Sequence, residues 1–240
     1  MKNTKRFGLI AALSAALFAI CVDPARADFI VPLAVPNAAL SGFTGPYVQL
    51  DIHLIDSTHA TVTFESLTQG GNIYLMGDGG TVGLNVSATS FTVSGLGGTN
   101  SGTGFNAGPL SDGGAGNEDG FGSFNLTINS FDGFTHSSDE VTFSLTNNSG
   151  LWGSAANVLT ENNMGNFAAA HIFVTPSPAN ASNDALVTGF AALPAGGFPV
   201  LVAEPGSLAL LGVAFLGIGA VVSRRSTRRF DAVASGCKPG

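Results

Sequence analysis

Between Arg26 and Arg224 the chain contains neither lysine nor arginine. All nine of its basic residues sit at positions 2, 5, 6, 26, 224, 225, 228, 229 and 238. Residues 28–202 carry nine Asp and four Glu, a formal charge of −13 against −7 for the whole chain. Nucleic-acid binding by phosphate neutralisation needs Lys or Arg, so no nucleic acid is expected as a partner. Phosphoryl transfer lacks its usual cationic clamps. No carboxylate in this stretch can pair with Lys or Arg. Each must turn to backbone N–H groups, hydroxyls, the four histidines, water or a bound cation. Trypsin is expected to leave residues 27–224 as one fragment even after denaturation. A digest in urea checks this, and any tryptic cut between Asp28 and Glu204 would contradict it.

Cysteine is equally scarce. Cys21 and Cys237 are the only two, one near each end, so residues 28–202 have no disulfide and no thiol chemistry. At 175 residues that stretch is long enough to rely on a hydrophobic core instead. Trp152, Tyr47 and Tyr74 are few for stacking on sugars. No Gly-x-Ser-x-Gly elbow occurs, and His53, His59, His136 and His171 fall in no metal motif such as HExxH. His53 and His59 flank one expected hairpin. His171, in "AAAHIFV", reads as a hydrogen-bonded residue of an apolar strand. A glycosidase needs two carboxylates at a set separation, and no spacing pairs Glu65, Glu140 or Glu161. The expectation is a protein without enzymatic activity.

What is present is alternation. In "YVQLDIHLID", Val48, Leu50, Ile52 and Leu54 fall on one face, with Gln49, Asp51 and His53 on the other. "ATVTFESL", "SFTVSGL", "SFNLTINSF" and "EVTFSLTN" repeat the pattern. Period two, rich in Thr, Val and Phe, predicts half-buried antiparallel strands. Nine or so of them, separated by Gly-rich breaks, predict an all-β, antiparallel β-sandwich of jelly-roll-like type. The breaks are "GDGG" and the long "GGTNSGTGFNAGPLSDGGAGNEDGFG". Residues 154–162 read as a short helix and residues 179–183 as a turn. Within the second break, "SDGGAGNEDG" offers hard oxygen ligands on a flexible loop. Asp112, Asn117, Glu118 and Asp119 are therefore the candidate Ca²⁺ ligands, with Asp78 next. No other cofactor is expected.

The two ends read as addresses. Lys2, Lys5 and Arg6 precede an apolar stretch over residues 7–20, and Ala25 and Ala27 form a small-x-small cleavage site. Residues 1–27 are thus a secretory signal peptide, a signal helix lost on export, which implies signal peptidase as a partner. Residues 206–223 hold no charge over eighteen positions, close to the length that spans a bilayer core, and Arg224, Arg225, Arg228 and Arg229 follow. This predicts a single transmembrane helix with a basic cytoplasmic end. The domain plan is an ectodomain over 28–197, a stalk over 198–202, a sorting and transmembrane segment over 203–229 and a tail over 230–240.

At its C-terminal end the chain resembles proteins carrying a PEP-CTERM sorting signal, which are exported by Gram-negative bacteria that make exopolysaccharide. Glu204 and Pro205 match the Pro-Glu-Pro step, the Gly- and Leu-rich stretch over 208–219 matches the span, and Arg224, Arg225, Arg228 and Arg229 match the arginine cluster. Ala203 stands where that signal has its first proline. "GPYVQLDIHLIDSTHATVTFESLT" and "YLMGDGGTVGLNVSATSFTVS" also look like segments of such proteins. The resemblance implies recognition by the membrane protease-transpeptidase exosortase. It further implies transient anchoring in the inner membrane, then a cell-surface or extracellular place in an exopolysaccharide matrix or biofilm. Two alternatives stay open: a carbohydrate-binding or carbohydrate-active β-sandwich, and a permanently anchored single-span membrane protein.

Overall fold

A computed structural model describes residues 28–196. The signal segment with Ala25 and Ala27, the stalk over 198–202, the tail over 230–240 and the sorting segment with Glu204, Pro205, Arg224, Arg225, Arg228 and Arg229 lie outside the described residues. Among the described residues no helix is long and apolar enough to cross a membrane.

Among the described residues thirteen strands follow one another: β1 (Phe29–Leu33), β2 (Val35–Pro36), β3 (Val48–Leu54), β4 (His59–Ser66), β5 (Thr68–Gln69), β6 (Asn72–Met76), β7 (Val82–Leu84), β8 (Phe91–Thr99), β9 (Ser111–Glu118), β10 (Gly122–Asn129), β11 (Glu140–Asn147), β12 (Asn166–Pro176) and β13 (Val187–Pro194). They form two antiparallel sheets, the β-sandwich that the alternation predicts. The smaller has the order β1-β3-β4-β11-β8. The larger runs β2-β13-β12-β7-β10-β9, with β6 also on β12 and β5 on β6. The period-two pattern sets the faces. Val48, Leu50, Ile52 and Leu54 of β3 are buried, and Leu50 and Ile52 lie opposite Phe64 and Val62 of β4. From the larger sheet Val82, Leu84, Leu126, Ile128, Ala168, Ala170 and Ile172 join the same core. Each buried Val, Leu, Ile or Phe contributes about 1.5–3 kcal/mol over exposure, so a core this extensive offsets chain entropy without a disulfide.

Polar handles on the large aromatics are met inside. Tyr47 and Tyr74 pack edge to face at 4.8 Å, and their hydroxyls donate to the carbonyls of Phe43 at 2.8 Å and Thr44 at 2.7 Å. The Trp152 indole N–H donates to the Ser87 carbonyl at 3.0 Å. The larger sheet is also covered on its outer face. Leu75 and Phe173 pack there beneath Phe105 and Phe134, and a second cluster joins Phe121, Phe124, Ala169, Ala192 and Phe190. Burial on both faces is why β12 reads "AAAHIFV" and does not alternate.

Two local expectations are corrected. The helix expected over 154–162 is only a 3-10 turn, Ala155–Val158. The chain leaves it because Val86 and Leu159 form a bridge, and Thr160 donates its N–H to the Asn85 carbonyl at 2.9 Å. The long Gly-rich break is not a loop throughout, since its second half is β9. Its glycines are demanded by the neighbouring strand. A Cβ at Gly113 would fall 2.4 Å from Asn129 Nδ2, and one at Gly116 would fall 2.6 Å from Thr127 Cγ2. Side chains of β10 lean across β9, and only glycine leaves room.

The sheet edges differ in make-up. β1 carries Pro32, and β2 and β5 are each two residues long. β8 and β9 are long, and each has a glycine at positive φ beside a register shift: Gly95 at 63° and Gly114 at 64°.

Candidate functional site

The four residues expected to bind Ca²⁺ are spread along a strand and its turn. Asp112 lies opposite Ile128, Asn117 opposite Ser123 and Glu118 opposite Gly122. Asp112 and Asn117 are five positions apart, on the order of 15 Å in extended chain, whereas Ca²⁺ takes oxygens at about 2.3–2.6 Å. The Asp112 carboxylate accepts the Gly114 N–H at 2.8 Å, and Asp119 accepts from the Asn37 side chain at 3.3 Å. Among the described residues no three His, Asp or Glu side chains converge as a metal site would require.

His53, His59 and His136 each bond a different partner. His53 Nδ1 meets Asp28 at 2.6 Å, and His59 Nδ1 meets Asp56 at 2.8 Å. The β3–β4 turn is an Asp-centred cap in which Asp56 accepts from the Thr58 N–H and hydroxyl. Those bonds, with His59, hold the Asp56 carboxyl below its usual range. His136 bonds the carbonyls of Asn106 and Gly108, each at 2.9 Å. Trp152, Tyr47 and Tyr74 are 2%, 1% and 0% exposed, so none is free to stack on a sugar. Glu65 and Glu140 do meet, directly opposite across β4 and β11. That pair lies on the outer face of the smaller sheet, with Glu65 exposed. A cleft of about 140 Å³ lies between Ile73, Asn100, Ser101, Asp139, Ser177 and Pro178. Its carboxylate is already engaged: Asp139 accepts from the Ser101 N–H at 2.6 Å and hydroxyl at 2.5 Å.

The most unusual chemistry gathers around residues 77–81. β6 and β7 pair with the same edge of β12, β6 opposite residues 172–176 and β7 opposite residues 168–170. The two are halves of one strand, and the five residues "GDGGT" bulge out between them opposite the single residue His171. Gly77 donates its N–H to the His171 carbonyl at 3.3 Å, and His171 donates its own to the Thr81 carbonyl at 3.2 Å. Asp78 sits at φ 60°, the one non-glycine residue in the left-handed region among those described. Strain of this kind gathers at sites that do something. The conformation is held by the Asp78 carbonyl, which accepts from Ser130 N–H at 3.0 Å and the Thr81 hydroxyl at 2.6 Å. The Asp78 carboxylate takes the Gly133 N–H at 2.6 Å.

Beneath the bulge lies Glu118. It is 0% exposed, and neither carboxyl oxygen has a hydrogen-bond partner. A Cβ at Gly80 would fall 2.5 and 2.6 Å from its two oxygens, and one at Gly83 would fall 3.0 Å from its Cγ. The glycines of "GDGGTVG" are thus the roof and wall of a slot for this side chain. Burial pushes Glu118 up to about 8, so it is a neutral acid at neutral pH. His171 stacks on Phe190 at 4.4 Å and 8°, with Phe173 at 5.4 Å on its other side. Burial pushes its imidazole down, against the opposing pull of nearby Asp78 and the backbone of Gly79 and Gly77. Sequence reasoning took Glu118 for a solvated ligand. The usable signal was the pattern "YLM-GDGGT-VGL", two apolar half-strands around a glycine-rich bulge. No protein-family model, curated protein or solved structure matches this chain.

Proposed function

We propose that the chain is an exported, non-enzymatic β-sandwich protein. On this reading it is delivered by its signal peptide and handled by exosortase for display at the cell surface or release into an exopolysaccharide matrix. The observation that carries the reading is the position of the sandwich between the two address-like ends. Every strand of both sheets falls between Phe29 and Pro194. Cleavage after Ala27 and near Pro205 would therefore leave each of these ladders whole. The carboxyl groups support a non-enzymatic role: Glu118 is closed off, and Glu65 with Glu140 stands on an open sheet face. Jelly-roll-like winding belongs to the same reading. It is supported by the repeated crossing of the chain between sheets, with β1, β3, β4, β8 and β11 in one and the rest in the other.

Intact mass spectrometry of the native protein, in cells with and without exosortase, tests it. The expected mass runs from Asp28 to near Pro205 only where exosortase is present. A mass reaching Gly240 in both strains would instead make the chain a permanently anchored membrane protein.

A further inference from the structure

The bulge over residues 77–81 lays Gly80 over the carboxyl of the fully buried Glu118, and none of its groups hydrogen-bonds the acid. Its fastenings are few and local: the Asp78 carbonyl and carboxylate on Ser130, Thr81 and Gly133, and the Gly80 N–H donated to Asn129 Oδ1 at 2.8 Å. None of these bonds involves Glu118. The charged groups around the acid offer it no relief on ionisation. The bulge brings Asp78, β12 brings His171, and the turn after β9 brings Asp119, with Asp112 six positions away along β9. β7, β10 and β13 bring no titratable group, and residues 27–223 contain no Lys or Arg to serve as a counter-ion. A buried carboxylate with neither hydrogen bond nor cation is not tolerated. Once its proton is lost, Glu118 has only water to turn to, and the glycine roof separates it from that water.

We propose that residues 77–81 form a proton-controlled latch, closed while Glu118 carries its proton and open when that proton passes to solvent. Opening lifts Gly80 off the two carboxyl oxygens of Glu118 and so uncovers the acid. Three features equip the bulge for two positions. Three of its five residues are glycine, Asp78 at its turn is strained, and it interrupts a strand whose halves stay anchored on β12.

Hydrogen–deuterium exchange of the full chain at pH 6 and pH 9, each against Glu118→Gln at the same pH, tests the latch. Comparing at one pH cancels the intrinsic pH dependence of exchange. At pH 9 the peptide covering residues 77–83 should exchange about tenfold faster in the native chain than in the variant, one pH unit past the midpoint. At pH 6 the two should match, and peptides from β3 and β4 should match at both. Equal rates over 77–83 at pH 9 would overturn the proposal. So would an acceleration shared by the whole sandwich, which would mean global unfolding. Glu118→Met, apolar and of similar length, serves as the reference if the glutamine variant does not fold.

Discussion

Between pH 5 and 7.5 Glu118 alone should lower the unfolding free energy of this protein by about 3 kcal/mol, and Glu118→Gln should remove that contribution. The sign follows from where the proton resides. In the folded chain burial keeps Glu118 protonated up to about 8, against an ordinary value of 4.5. Between those two values the unfolded chain has released a proton that the folded chain still holds. Each pH unit in the window therefore favours unfolding by about 1.4 kcal/mol. Below 4.5 both states are protonated and the stability is fully present; above 8 the decline levels off. Burial also raises Asp51, with Asp28 adding to the rise and His53 opposing it. Asp51 tilts the native curve in the same direction and His171, pushed down by burial, in the opposite one, so the difference between native chain and variant isolates Glu118. Glutamine keeps the shape and has no proton to lose. Urea unfolding followed by Trp152 fluorescence at several pH values is the measurement. Parallel curves for the two chains would mean that Glu118 is ionised and hydrated in the native fold.

Trp152→Ala should be the most damaging truncation in the core, losing about 3–5 kcal/mol at any pH. Trp152 is 2% exposed and lies in the segment after β11. Its backbone N–H donates to the Ser57 carbonyl at 2.7 Å and its indole to Ser87 at 3.0 Å, joining the β3–β4 turn to the segment after β7. Alanine removes the largest buried side chain and leaves the Ser87 carbonyl short of its donor. Trp152→Phe restores much of the volume without the indole bond and should lose about 1–2 kcal/mol. Thermal unfolding by circular dichroism reads both. A loss under 1 kcal/mol for alanine would mean that the surrounding loops close over the gap. It would also reopen the idea that this tryptophan works at the surface.

β3, β4 and β11 were legible because one face of each meets the core and the other meets water, which writes the fold as alternation. β12 was legible as an apolar strand but without distinct faces, because loops bearing Phe105 and Phe134 cover its outer side and erase the polar half of the pattern. β9 escaped for a different reason. Glycine usually marks a turn, yet here it yields space to Thr127 and Asn129 of the adjacent strand, a demand visible only when the strands are side by side. The absence of Lys and Arg did foretell how carboxylates are served. Asp56, Asp78, Asp112 and Asp139 all take backbone N–H groups. That same absence made an unserved carboxyl such as Glu118 conceivable, but local sequence placed it among exposed acids. Its burial is set by Gly80 and Gly83, more than thirty positions earlier in the chain.

The edges of the two sheets bear on how the protein behaves in crowded or saline surroundings. An exposed strand edge invites pairing with another chain, and many proteins discourage this with lysine. Here lysine is not used, and mutual repulsion between strongly acidic molecules fades as salt shortens its range to about 3 Å at 1 M. Proline on β1, brevity in β2 and left-handed glycine kinks in β8 and β9 do not depend on charge. Resistance to edge-to-edge fibril growth is therefore built into backbone shape, and it persists in brine, or in acid that neutralises the carboxylates.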